Sequence, residues 1–70
     1  MNVMAQFHIV SEGTEDTFDS TDNLHDAIDI ARKVAQEGQA GDPVGIEHEG
    51  KIVRQFILMP SGKVAEESLS

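Results

Sequence analysis

The chain has no cysteine, no tryptophan and no tyrosine, and only three phenylalanines in 70 residues. Without cysteine there is no disulfide framework, no thiolate metal site and no thiol nucleophile. Without the two large amphipathic aromatics, a core has to be built from Phe7, Phe18, Phe56 and aliphatic side chains. Cations are scarce. Arg32, Lys33, Lys51, Arg54 and Lys63 stand against 13 Asp and Glu, for a formal charge of -8. Such a surface repels a phosphate backbone and offers no basic stripe, so neither nucleic acid nor anionic lipid is an expected partner. No apolar run approaches the ~20 residues that a membrane span requires. Met1 to Val10 lacks a basic stretch and is interrupted by Gln6 and His8, so it does not read as a signal peptide. The expected location is the cytoplasm.

What is present organises around Ser20 to Gly38, which reads as one amphipathic helix. Leu24, Ala27, Ile28, Ala31, Val34 and Ala35 recur at helical spacing, with Ile30 widening the stripe. His25, Asp26, Asp29, Arg32, Lys33 and Gln36 take the wet side. Ser20, Thr21 and Asp22 are each competent to cap the N-terminus, because a short side-chain oxygen accepts an orphan backbone N–H. Asp22, Asp26 and Asp29 precede Arg32 and Lys33, an order that complements the helix dipole. Gly38 suits the position just past the C-terminus. The small residues Ala27, Ala31 and Ala35 let the helix axis approach a sheet closely.

Period-two patterning supplies the sheet. Val3, Ala5, Phe7 and Ile9 share one face of a first strand. A polar turn with Gly13 leads into a weak second strand around Phe18, acidic enough to sit at an edge. After the helix, Gln39 to Pro43 reads as a loop. Val44, Ile46 and His48 then share a face, and Glu49-Gly50 forms a tight hairpin turn. Ile52 to Met59 is apolar on both faces under strict alternation: Ile52, Phe56 and Leu58 on one, and Val53, Ile57 and Met59 on the other. Two-sided apolar strands are usually covered on both sides, and a single helix covers only one. The fold class expected is α+β, two-layer, with one helix on a mainly antiparallel sheet of three to four strands in the order β-β-α-β-β. Residues 1–60 would form the single domain, and residues 61–70 a flexible acidic tail, with a short extra strand or turn of helix over Lys63 to Ser70 as the alternative.

The residues that carry chemistry do not converge in the sequence. His8 and His48 could meet only if their strands pair, and His25 has Asp29 rather than a second histidine one turn on. Two ligands do not make a zinc site. Ser11, Ser20, Ser61, Ser68 and Ser70 fall in turns, the cap or the tail, and none sits in a Gly-x-Ser-x-Gly elbow. The Gly38 to Gly41 stretch follows a helix, whereas a phosphate cradle opens one. The carboxylate pairs Glu15-Asp16, Glu47/Glu49 and Glu66-Glu67 have no sequence feature that would desolvate one partner. No catalytic residue, metal site or cofactor is therefore expected, and the protein is not expected to be an enzyme.

Thr21, Ala27, Ile28, Ala31 and Ala35, with the Gly50-Lys51-Ile52 turn, resemble short bacterial proteins of unknown function built strand, strand, helix, strand, strand. Many of those carry an aromatic beside the glycine of the first hairpin; here Gly13 has no Trp. Thr17-Phe18 running into the Ala-rich helix is also similar to small antitoxins of the HicB kind, which have a further strand before the helix and a longer Gly-rich hairpin. Neither resemblance implies catalytic residues. The reading that follows is a small acidic protein-interaction module that binds a partner protein or itself as a homodimer, using Val53, Ile57 and Met59. The alternatives are an acidic, antitoxin-like inhibitor of a basic protein, or a metal-binding domain using His8 and His48.

Overall fold

The computed structural model describes residues 6–14 and 16–69. The elements are β1 (Phe7–Ser11), β2 (Thr17–Thr21), α1 (Leu24–Glu37), β3 (Pro43–His48), β4 (Lys51–Leu58) and β5 (Val64–Ser68). The strands form one sheet in the order β2-β1-β3-β4-β5, with every neighbouring pair antiparallel. This is the expected α+β arrangement of one helix on one sheet, with five strands rather than three to four. Val3 and Ala5 of the first expected strand, Glu15 and Ser70 lie outside the described residues.

Because β1 sits between β2 and β3 and is antiparallel to both, β2 and β3 run parallel. Parallel strands need a crossover, and α1 provides it, packing against all five strands as it passes. Ala27, Ala31 and Ala35 are 0%, 0% and 2% exposed and meet Ile9, Val44, Ile46 and Phe56. Leu24, Ile28, Ile30 and Val34 extend the contact on either side of the alanines.

The helix starts later than the sequence suggests. Ser20 and Thr21 belong to β2, where Ser20 pairs with His8 and Thr21 with Phe7. The cap is Asn23, whose Oδ1 accepts the Asp26 N–H at 3.1 Å. Any of four consecutive short polar residues can cap a helix, and cross-strand pairing claims the first two. At the other end Gly38 is the capping residue itself, in extended conformation, and its N–H donates to the Ala35 carbonyl at 3.2 Å.

Two β-bulges decide which side chains face the helix. In β2 the partners of Ile9 and Val10 are Asp19 and Thr17, so Phe18 is the extra residue. In β4 the partners of Ile46 and Glu47 are Arg54 and Ile52, so Val53 is the extra residue. A bulge breaks the period-two alternation. Val53 consequently packs against the helix-side core, and Ile52 moves to the opposite face as the cross-strand partner of Glu47.

Residues 61–70, expected as a frayed tail, contain β5, paired with β4 from Arg54↔Ser68 to Leu58↔Val64. The hairpin closes through the Met59 N–H, which donates to the Lys63 carbonyl at 2.7 Å, and Gly62 takes φ +93 in that turn. One carboxylate fastens this edge strand. Glu66 accepts from Arg32 of α1 at 2.6 Å and from Arg54 of β4 at 2.9 Å. The acidity that makes this stretch look like a tail is, at Glu66, what ties it down.

Candidate functional site

Cross-strand partners share a face of the sheet, so the registers sort the surface. Phe7, Ile9, Ile46, His48, Arg54 and Phe56 fall on the side of α1. His8, Val10, Gly45, Glu47, Ile52, Gln55 and Ile57 fall on the other. No element among the described residues covers this second face.

Val10 is nonetheless buried there, at 9% exposure. Glu12 and Ile52 close over β3 at Gly45, and a Cβ at that glycine would lie 3.1 Å from both Glu12 Oε2 and Ile52 Cδ1. Glu12 is held in place by Gln55, whose Nε2 donates to its Oε2 at 2.9 Å. The result is a groove of about 360 Å3 lined by Val10, Ser11, Glu12, Thr17, Glu47 and Ile52. It combines apolar Val10 and Ile52 with two carboxylates.

The groove is lined by carboxylates and by no cation. Glu12, Glu47 and Glu67 belong to this face, Glu67 as the cross-strand partner of Gln55. Four of the five cations lie elsewhere. Arg32 and Lys33 are on α1, and Arg54 is bonded to Glu66 on the helix side. Lys51 pairs with His48, and Lys63 is in the turn before β5.

Of the three residues expected to form an interaction face, Ile57 is on the uncovered side, as partner of Pro43 and Ala65. Val53 is in the helix-side core through its bulge, and Met59 lies past the end of β4, 44% exposed. Sequence reasoning misses Val10, Glu12, Glu47 and Ile52 as an interaction surface. Period-two alternation does separate Val10 from Ile9, and it also sets Glu47 opposite His48. Nothing in the sequence marks the bulge that turns Ile52 over.

The histidines do not converge. His8 faces the uncovered side with Nδ1 2.7 Å from Ser20 Oγ. His48 faces the helix side, stacked on Phe7 with ring centroids 4.2 Å apart. Pairing of β1 with β3 sets them one residue out of register, which puts them on opposite faces. His25, Asp26 and Asp29 do bring donor atoms within 4.8 Å of one another on α1. Their side chains are 85%, 64% and 62% exposed, and no other element adds a ligand among the described residues. Ser20 is a strand residue rather than a cap. Glu49 lies past the end of β3 at His48, in the turn, with φ 54. No polar or charged side chain is buried among the described residues.

A second crevice, about 330 Å3, lies between β2 and the C-terminal end of α1, lined by Phe18, 51% exposed, with Val34, Ala35 and Pro43. No helix among the described residues is long and apolar enough to cross a membrane. No family model, curated protein or solved structure matches the chain.

Proposed function

We propose that this chain is a small, non-enzymatic protein-interaction module that receives its partner on the sheet face opposite α1. The observation that carries the reading is that the described residues cover one side only of a five-stranded sheet whose second face still bears Val10, Ile52 and Ile57. Apolar side chains grouped on an uncovered face favour association, because docking removes them from water. Polar neighbours around such a patch keep the free protein soluble and confer selectivity. Ile57 is common to this face and to the one expected from the sequence; Ile52 and Val10 join it, and Val53 belongs to the helix side.

The test is selection of binders from a random peptide display library against the immobilised full chain. Enriched peptides are expected to shift the amide signals of β1, β3 and β4 residues on the uncovered face and to lose binding to Ile57→Lys. That variant should keep the native helical circular dichroism, since Ile57 is outside the core cluster. Binders that footprint on the outer surface of α1, and that bind Ile57→Lys as well as the parent, would overturn the reading.

A further inference from the structure

The groove on the uncovered face has chemistry that selects among partners. Its apolar residues are Val10 and Ile52, its carboxylates are Glu12 and Glu47, and no cation lines it. Lys and Arg side chains match that combination, because each carries an aliphatic stem ending in a charged head that donates hydrogen bonds. We propose that the groove anchors a lysine or arginine side chain of a basic protein segment, the stem lying on Val10 and Ile52 and the head meeting Glu12 and Glu47. This inference rests on the docking reading above.

Glu12 is already oriented by Gln55 through a single carboxylate oxygen. Among the described residues its other oxygen has no hydrogen-bond donor, and the side chain requires little further ordering on binding. Ion pairs formed over an apolar floor are shielded from water on one side and screened less than exposed pairs. A second copy of the chain suits the face less well. In a two-fold dimer the same patch meets itself, which would bring Glu12, Glu47 and Glu67 against the same residues of the other copy without a cation between them. Like charges in register weaken such pairing.

A chain with formal charge -8 attracts any polycation to some degree, so the experiment has to separate the groove from the net charge. The 15N-labelled full chain is titrated with a short amphipathic Leu/Lys peptide and with its Leu/Glu counterpart, at low and at high salt. Two variants that remove the same single charge are compared: Glu47→Gln in the groove and Asp29→Asn on α1. The expected result is amide shifts centred on Val10, Glu47 and Ile52 with the Leu/Lys peptide only. Affinity should fall steeply with salt and be about tenfold weaker for Glu47→Gln, the loss expected for one charge-assisted contact. Asp29→Asn should bind as the parent does. Equal weakening by both variants, or shifts confined to α1, would overturn the proposal by reducing it to net charge. Equal docking of the Leu/Glu peptide on the uncovered face would overturn the proposal while leaving the docking reading standing. If neither peptide, nor any binder from the library, shifts that face, both fall.

Discussion

The turn between β3 and β4 offers two adjacent substitutions with opposite expected signs. His48 pairs directly with Lys51, so the loop is Glu49-Gly50 alone. Glu49 has φ 54 and Gly50 φ 79. Positive φ at both positions is the type I′ geometry that suits the right-handed twist of the flanking strands, and Asn-Gly is its preferred sequence. A left-handed conformation costs an ordinary L-residue about 1–2 kcal/mol, and Asn less. Glu49→Asn should therefore stabilise the fold by about 0.5–1 kcal/mol. At roughly 4–8 °C per kcal/mol for a domain of this size, Tm should rise by several degrees. The substitution also takes away the approach of Glu49 Oε2 to His48 Nε2 at 3.9 Å, but that carboxylate is 80% exposed and contributes little. Removing one of 13 acidic residues relieves some repulsion, and Glu49→Gln controls for that because it removes the charge and keeps the unfavourable φ. Gly50→Ala is the converse. A Cβ there meets nothing within 4 Å, so the expected loss of about 1–2 kcal/mol is purely conformational. Thermal and urea unfolding followed by circular dichroism measure all three. If Glu49→Gln stabilises as much as Glu49→Asn, or Gly50→Ala is neutral, the turn assignment is wrong.

Ala31→Leu pushes three extra carbons between α1 and the sheet at a position of 0% exposure. It should cost about 1–3 kcal/mol by overpacking, a large share of the roughly 4–10 kcal/mol available to 70 residues; an unchanged urea midpoint would contradict the close helix–sheet packing. Glu66→Ala removes the acceptor shared by Arg32 and Arg54. It should cost about 1–2 kcal/mol and speed amide exchange across Val64–Ser68, whereas exchange unchanged from the parent would show that β5 is held by its ladder alone.

Much of the fold is legible in the sequence because its signals are local. The stripe from Leu24 to Ala35 specifies the helix and its buried face, and alternation through Val44, Ile46 and His48 assigns β3 correctly. The departures have a common physical origin in pairings between distant residues. Ser20 and Thr21 look like caps until β1 claims them. The acidic C-terminal stretch looks like a tail until Arg32 and Arg54, 34 and 12 residues away from Glu66, neutralise it. The interaction face departs from expectation for the same reason. Strict alternation in β4 groups Val53 with Ile57, and one unmarked bulge against Ile46 and Glu47 separates them. The groove depends further on Gly45, whose missing side chain lets Glu12 and Ile52 close over β3, a meeting of two strands and the turn after β1 that no single segment announces.

The most direct check of the uncovered face is solvent accessibility at the isoleucine methyl groups. A chain labelled at the isoleucine δ1 positions is exposed to a soluble paramagnetic cosolute, alone and with the Leu/Lys peptide. Ile9 and Ile46, 0% exposed, should be spared in both states. Ile52 and Ile57 should be attenuated in the free chain at low concentration and protected once the peptide is bound, while Ile28 and Ile30 on α1 stay as they were. Protection of Ile52 and Ile57 in the free chain, or attenuation that the bound peptide leaves unchanged, would contradict a docking surface on the side of the sheet opposite α1.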